Sequence, residues 1–200
     1  MNNFILFLQH FINFLGNLII IVILHEAGHL LAAKKVGCGV DIYSIGFGKP
    51  LFRKEYNGTI YQFAPILLGG YCKLRDELSA SNDPYSFTNL SYRKKVVISY
   101  AGVLVNILSG FLIGFIGWWC GIYCLLYFGV ISVSLGVTNA IPIPALDGSY
   151  PILVGLEKIY GKEKGYELMN KICKWGFVIL MTLNISSLPW MFYWLWIGRL

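Results

Sequence analysis

The sequence predicts an α-helical integral membrane protein with about four transmembrane helices and a membrane-associated β-hairpin region on the cytoplasmic side. Of its 200 residues, 56% are hydrophobic and 13% are charged, whereas soluble domains carry about 25% charged residues. Several apolar runs reach the roughly 20 residues that a helix needs to cross a bilayer. One more polar stretch, residues 37–92, instead contains short runs of strand-like composition separated by turn residues, which is typical of strands. We treat residues 1–200 as one intramembrane domain.

The first predicted element is a helical span over residues 1–36. It contains one acid, Glu26, and no Lys or Arg before Lys34. The run is too long for a helix perpendicular to the bilayer, so either one helix tilts or residues 4–14 form a separate segment. Lys34 and Lys35 end the run, and the bias of basic residues toward the cytoplasm predicts that this end of the span is cytoplasmic.

Residues 37–92 are predicted to form a cytoplasmic β region. Asn57-Gly58 is a strong signal for a tight hairpin turn. Runs with strand-like composition cover residues 40–45, 51–56 and 59–63. From Lys34 to Lys95 the chain carries ten Lys and Arg and five acids. This imbalance predicts that the region is cytoplasmic and that the N-terminus is outside.

The remaining predicted spans cover residues 96–119, 122–141 and 175–197. A cytoplasmic segment over residues 142–174 separates the last two. Its part from residue 150 onward carries five Lys and three Glu, and we expect an amphipathic helix on anionic lipid with its charges on a solvated face. Both termini then lie outside the cytoplasm.

Charge and cysteine content exclude two other classes of protein. The net charge of +6 does not indicate nucleic-acid binding, because the basic residues flank the spans and form neither a recognition helix nor a stacking platform. The five scattered cysteines argue against a disulfide framework. Cys120 and Cys124 are spaced for one helix face, as a metal or redox pair would be, but no His is near, which favours small apolar fillers.

A candidate metal site lies in the first span. His25 and His29 are four residues apart, which on a helix puts both imidazoles on one face, about 5–6 Å apart, where they can bind one metal ion. Glu26 lies about 100° around the helix, placed to act on a water molecule there. The alternative is a pair of core histidines bonded to carbonyls, as we expect for His10. The metal site is favoured because ionisable groups in a membrane span cost about 2.5–3.5 kcal/mol and are functional candidates.

The third candidate ligand is Asp147. The segment from Asn139 to Gly148 contains Pro142 and Pro144, so a regular helix cannot continue through it. Irregular backbone is tolerated at membrane depth only when it is buried in protein or lines a wet cavity. An ordinary helix stop with an Asp-Gly turn is the alternative. A metal ligand is favoured because a catalytic zinc takes three protein ligands and the one other histidine, His10, is expected to be a core residue.

These motifs resemble those of the site-2 proteases (peptidase family M50), the zinc-dependent intramembrane metalloproteases, and most closely their bacterial regulator-of-sigma-E branch. The likeness follows the chain in order, through residues 25–29, 44–49, 69–73, 87–89, 101–106 and 139–148. Two departures stand out. The PDZ domains that this branch carries between the second and third spans are missing, and Val103 and Ser149 replace a proline and a glycine that are common there.

The resemblance implies specific roles. His25, His29 and Asp147 would be the zinc ligands, and Glu26 the catalytic acid/base. Asn139 would contact the substrate backbone near the cleaved bond. Further candidates for substrate binding are Gly46, Gly48, Asn106 and Pro142. For Asn106 an interhelical hydrogen bond of purely structural role is favoured over a role at the site. Residues 40–74 would correspond to the family's membrane-associated β element.

The expected function is regulated intramembrane proteolysis by a zinc metalloendopeptidase in the bacterial plasma membrane. Its expected partners are transmembrane protein or peptide substrates, the lipid bilayer, and a regulatory membrane protein in place of the PDZ domains; no nucleic acid is expected. The alternatives are a catalytically silent membrane scaffold and a metal-binding transporter. Glu26 argues against the scaffold, and the shortage of polar residues along the spans argues against the transporter.

Overall fold

The structure, a computed structural model, describes residues 2–77, 79, 81–161, 163–165, 167–179 and 182. Helices and one small sheet form the described part. Within it, three helices are long and apolar enough to cross a membrane, and these candidate spans are Leu8–Val36, Tyr92–Cys120 and Tyr123–Ala140. The predicted helical architecture with a small β region is therefore confirmed in outline.

Helix α1 (Asn2–Val36) is continuous, so the first apolar run is one long helix. Gly37 ends it with a left-handed conformation (φ 83°), and the next amide, from Cys38, donates back to the Ala33 carbonyl at 2.9 Å. This is the usual way in which a glycine closes a helix C-terminus. His10 was expected in the core and that expectation was wrong: its side chain is exposed, because it lies on the N-terminal half of α1, away from the packed segment.

The sheet contains four strands in the order β2-β3-β1-β4. Their bounds are Val40–Phe47 for β1, Phe52–Tyr56 for β2, Thr59–Phe63 for β3 and Ile66–Leu74 for β4. The predicted hairpin is confirmed: β2 and β3 are antiparallel around Asn57 and Gly58, whose φ angles are both positive. Strand β1 is parallel to β3 and antiparallel to β4.

Strand β4 was not among the predicted strands. Gly69 and Gly70 interrupt its apolar pattern, and glycines are unfavourable inside strands. The backbone at Gly70 passes so close to its neighbours that an added Cβ would lie 2.7 Å from the Ser44 carbonyl oxygen and 3.2 Å from Cγ of Glu26. The glycine therefore allows β4 to fit between β1 and α1.

The sheet packs against the C-terminal half of α1 and the start of the next helix. Tyr43 on β1 donates a hydrogen bond to the Ile23 carbonyl of α1 at 3.0 Å. The shared core consists of Leu30, Ala33, Cys38, Val40, Tyr43, Leu74, Phe87 and Ile98. Because β1 runs back along α1, β4 comes to lie beside Glu26.

Helices α2 (Tyr92–Cys120) and α3 (Tyr123–Ala140) form a tight antiparallel pair. Gly121, with φ 69°, makes the turn between them. At their interface an added Cβ on Gly129 would lie 2.5 Å from Cα of Gly114 and 2.7 Å from the Gly110 carbonyl oxygen. Small residues thus let the two backbones touch, as is common between membrane helices.

The chain after α3 departs from the prediction of one amphipathic helix over residues 150–174. A short 3-10 turn at Asp147–Ser149 leads into α4 (Tyr150–Tyr160), and Gly161, with φ 80°, ends that helix. Residues 163–165 and 167–179 are helical again. The predicted single helix was wrong because glycine at positive φ stops a helix and lets the chain turn.

The charges of this segment are not all on a solvated face. Glu157 accepts from Lys95 at 2.8 Å, and Lys95 is only 2% exposed. The Lys171–Glu167 pair, by contrast, is exposed as predicted. The fourth predicted span, residues 175–197, lies outside the described residues apart from 175–179 and 182.

The α2–α3 interface yields a test of the fold. Gly129→Ala should lower the free energy of unfolding by about 1–3 kcal/mol, because the new methyl group overpacks a contact between two backbones. Unfolding in detergent, followed by circular dichroism, measures this change. Gly16→Ala on α1 is the matched control, since no atom of the described residues lies within 4 Å of its added Cβ. Equal stability of both variants would contradict the described packing.

Candidate metal centre

The first part of the centre is a pair of imidazoles on α1. His25 and His29 are four residues apart on the helix, and their Nε2 atoms lie 3.3 Å from each other. The rings are edge to face, with centroids 4.9 Å apart. His25 is buried, and His29 is partly buried. The predicted shared face is therefore present.

Asp147 completes the cluster from the segment that follows α3. Its Oδ2 lies 2.9 Å from Nε2 of His25 and 3.3 Å from Nε2 of His29. The next residue, Gly148, passes so close to α3 that an added Cβ would be 2.7 Å from the Ile141 carbonyl oxygen. The broken backbone predicted from the two prolines therefore folds back and places the carboxylate under the histidines.

The electrostatics of Asp147 suit a ligand. Burial acts to raise the pKa of the Asp147 carboxyl, but the imidazoles of His25 and His29 lower it more and hold it well below its ordinary value. The carboxyl is thus ionised near neutral pH. A metal ligand needs this form.

Helix α2 forms the wall behind both imidazoles. His29 donates from Nδ1 to the Ile98 carbonyl at 2.8 Å, and Nδ1 of His25 lies 3.1 Å from Nδ2 of Asn106. Between them is Gly102, where an added Cβ would be 2.8 Å from Cε1 of His25 and nearer still to Nε2 of His29. The histidines pack directly on the α2 backbone because this residue has no side chain.

Glu26 lies at the same centre, one residue after His25. Its side chain lies against β4, where an added Cβ on Gly70 would be 3.2 Å from Cγ of Glu26. It faces a cavity of about 330 Å³, which His29 and Asp147 also line. The other lining residues are Tyr71, Cys72, Lys73, Leu74, Glu77, Phe87, Ile98, Ser99 and Tyr150. The outer edge of β4 is therefore one wall of the cavity.

A second carboxyl group, Glu77, lies on the same cavity. Burial raises its pKa, although the Tyr150 hydroxyl, which donates to Oε1 of Glu77, acts in the opposite direction. Tyr150 begins α4 and also meets Phe87 edge to face, with ring centroids 5.7 Å apart. This contact ties the sheet side of the cavity to the segment that carries Asp147.

The three donor groups fit a metal ion. One atom from each of His25, His29 and Asp147 lies within 4.8 Å of the others. The separations of 2.9–3.3 Å are close to the roughly 3.3 Å between tetrahedral ligands at zinc–ligand distances of about 2.0–2.1 Å. Among the described residues, Oδ2 of Asp147 is one of two buried side-chain atoms without a hydrogen-bond partner. A cation between the three groups would satisfy it.

The other predicted site residues fall into two groups. Asn139, near the end of α3, has its Nδ2 3.4 Å from Nε2 of His25, and Asn106 is fully buried against the other side of that ring. Pro142 is exposed in the loop after α3. Gly46 and Gly48 lie at the end of β1 beside residues 64–66, and neither they nor Pro142 line the cavity that contains Glu26.

Sequence reasoning missed four contributors to the centre: Ile98, Gly102, Glu77 and Tyr150. One signal was available, because Ile98, Gly102 and Asn106 repeat every four residues and so share a face of α2. Nothing in the local sequence marks Glu77 or Tyr150, which meet only through the tertiary fold.

Comparison with known proteins adds independent information. A protein of Campylobacter jejuni, provisionally named a zinc metalloprotease, is 39% identical over 108 residues, which are 50% of this chain and 29% of that protein. The regulator of sigma-E protease RseP of Escherichia coli is 37% identical over 105 residues, or 50% of this chain and 23% of that protein. The Yersinia pestis protease RseP matches 50% of the chain and 22% of its own length at the same identity.

These alignments span less than a third of each relative. The family model described as peptidase family M50 covers much more of this chain, matching residues 13–121 and 118–183. The two histidines, the glutamate between them and Asp147 all lie within the matched residues. The chain therefore belongs to peptidase family M50, the site-2 protease family.

Proposed function

We propose that this protein is a zinc metalloendopeptidase that hydrolyses peptide bonds in or near transmembrane segments, as in regulated intramembrane proteolysis. The observation that carries the proposal is the convergence of His25, His29 and Asp147 inside an apolar helical bundle, with Glu26 on the same cavity. The names of the relatives, zinc metalloprotease and regulator of sigma-E protease, support the same chemistry.

In this proposal His25 and His29 bind one zinc ion through Nε2 and Asp147 binds it through Oδ2. When bound, zinc lowers the pKa of water to about 7 and polarises a carbonyl group. Three protein ligands leave a fourth position open, which is typical of catalytic rather than structural zinc sites.

Glu26 is the proposed general base and then the general acid. Its carboxylate accepts a proton from the attacking water as the water oxygen bonds to the peptide carbonyl carbon. As the C–N bond breaks, the same carboxyl gives the proton to the leaving amine. Strand β4 lies beside Glu26, on the side of the cavity that Cys72 and Lys73 line.

The substrate must present an extended backbone to this centre. A transmembrane helix hides its carbonyls in its own hydrogen bonds, and each group left unpaired in lipid costs several kcal/mol. The outer edge of β4 carries main-chain groups next to Glu26 and could pair with the unwound segment as an added strand. Asn139 stays a candidate for contacting the substrate backbone, because its amide lies beside His25; Gly46, Gly48 and Pro142 stay candidates with weaker support.

The proposed location is the bacterial plasma membrane, with both termini outside and the centre toward the cytoplasm. The basic residues at the end of α1 and the start of α2 support this orientation. A regulatory membrane protein is proposed in place of the PDZ domains, since α2 and α3 are joined by a short turn at Gly121.

The first prediction concerns Glu26→Gln. The variant should bind zinc as the wild type does, because Glu26 is not among the three converging ligands, and its rate of cleavage should fall by about 10²–10⁴-fold with the loss of the proton carrier. Both proteins are purified in detergent, their zinc is measured per chain, and each is incubated with single-span model substrates.

Four results are distinguishable. Zinc in both proteins and cleavage by the wild type alone supports the protease. Cleavage by the variant at the wild-type rate contradicts the role of Glu26, and zinc without cleavage in either favours a silent scaffold. A wild type without zinc refutes the metal centre.

A second prediction tests which sheet edge meets the substrate. In the Glu26→Gln background a photoreactive amino acid replaces either Lys73 on β4 or Lys54 on β2, both exposed residues of edge strands. The Lys73 variant should cross-link to a bound single-span substrate and the Lys54 variant should not, since only Lys73 lines the cavity with Glu26. Cross-linking confined to Lys54 would refute strand addition at β4.

A third prediction concerns Gly102→Ala. The new methyl group would overlap both histidine rings, so we expect zinc binding to weaken by about 1–3 kcal/mol, which is a loss of about 5- to 150-fold in zinc affinity. Competition with a chelator measures the affinity. Gly16→Ala is the control, because none of the described residues approaches within 4 Å of its added Cβ. Wild-type affinity in the Gly102→Ala protein would show that the rings do not bind the ion where they now lie.

A further inference from the structure

Asn106 makes an unusual contact with the metal centre. It is 0% exposed, and its Nδ2 lies 3.1 Å from Nδ1 of His25. Its Oδ1 is the second buried side-chain atom of the described residues that has no hydrogen-bond partner. An orphaned acceptor in a buried amide is costly, because it loses its hydrogen bond to water and gains nothing in return.

The orientation of this amide decides where the His25 proton resides. With Nδ2 as donor, Nδ1 of His25 must accept, and the ring proton of a neutral imidazole is then on Nε2. That nitrogen is the atom that faces Asp147 at 2.9 Å and His29 at 3.3 Å. A protonated Nε2 has no lone pair for a metal ion.

His29 shows the opposite arrangement. Its Nδ1 is 2.8 Å from the Ile98 carbonyl, which can only accept, so the proton is on Nδ1 and the Nε2 lone pair faces the centre. Ile98 and Asn106 are eight residues apart on α2, with Gly102 midway. One face of α2 can therefore offer each histidine an acceptor. The Ile98 carbonyl serves His29, and Oδ1 of Asn106 would serve His25 if the side-chain amide were rotated by half a turn.

We propose that Asn106 is a positioning residue that turns Oδ1 toward His25, accepts the Nδ1 proton, and thereby keeps the Nε2 lone pair directed at zinc. This rests on the proposed function insofar as zinc is the ion at the centre. After this half turn, Nδ1 of His25 donates its proton to Oδ1 of Asn106, so that both atoms have a hydrogen-bond partner. Partners of this kind set the tautomer and ring orientation of metal-binding histidines.

The surroundings favour a local turn of the amide over movement of the helix. The Asn106 carbonyl accepts from the Ser132 hydroxyl of α3 at 2.8 Å and from Ser109 at 3.4 Å, which holds the backbone in place. Since the side chain is fully buried, no exposed water competes for Nδ1 of His25.

The test compares zinc affinity in three variants of the full chain in detergent. Asn106→Leu keeps the volume but removes the acceptor, and its zinc affinity should fall by about 10–100-fold. Asn106→Asp offers only acceptors and should recover most of that loss. Ser132→Ala is the matched control, because it removes the hydrogen bond to the Asn106 carbonyl and leaves the side-chain acceptor in place, so its zinc affinity should fall by less than that of Asn106→Leu. Chelator competition with zinc alone measures each affinity.

The outcomes separate this proposal from the metal centre itself. Wild-type affinity in Asn106→Leu, or an equal loss in the Asp and Leu variants, would overturn the positioning role while zinc in the wild type still supports the centre. No zinc binding by the wild type would overturn both. If Ser132→Ala lost as much zinc affinity as Asn106→Leu, Asn106 would act only through helix packing, and the positioning role would be overturned.

A measurement on the unsubstituted centre does not depend on how the variants fold. In a His10→Gln background with ¹⁵N-labelled histidine, NMR of the zinc-loaded protein should show His25 and His29 both protonated at Nδ1 and bound through Nε2. A proton on Nε2 of His25 would overturn the proposal.

Discussion

The close crossing of α1 and α2 is the contact on which the rest of the centre depends. An added Cβ on Gly28 of α1 would lie 2.9 Å from the Ala101 carbonyl oxygen, and Gly102 of α2 has no room for one beside the histidine rings. Because both helices have a glycine at the crossing, Nδ1 of His29 reaches the Ile98 carbonyl and Nδ1 of His25 reaches the Asn106 amide, both on α2. The Nε2 atoms then meet Asp147.

The apolar surroundings explain why the polar groups of the centre are so closely connected. Within a bilayer, water is not available to satisfy a buried donor or acceptor, so each must find a partner in the protein. His29, Asn106 and Ser132 do so across three helices. The two described atoms that do not are Oδ1 of Asn106, whose side chain contacts His25, and Oδ2 of Asp147, which faces the point where a metal ion would bind.

The sheet brings its edge strand β4 alongside α1, which contains one of the candidate membrane spans. Its end beside the β1–β2 turn carries exposed apolar side chains, namely Phe47, Leu51, Phe52, Phe63 and Ile66. Near its other end, Arg75 pairs with Asp41 and Asp83. This distribution of apolar and charged side chains suits a sheet with one end in lipid and the other end in water. A sheet held in that orientation keeps β4 beside Glu26.

The sequence by itself determined what depends on local geometry. The four-residue spacing of His25 and His29 required a shared helix face, and Asn57-Gly58 required a hairpin, because both depend on neighbouring dihedral angles alone. The helix end at Gly161 and strand β4 were not predicted from the sequence, because glycine is compatible with several backbone conformations. The partner of His25 was decided only by the tertiary structure: Asn106 is 81 residues away, and no local pattern encodes which side chains two packed helices bring together.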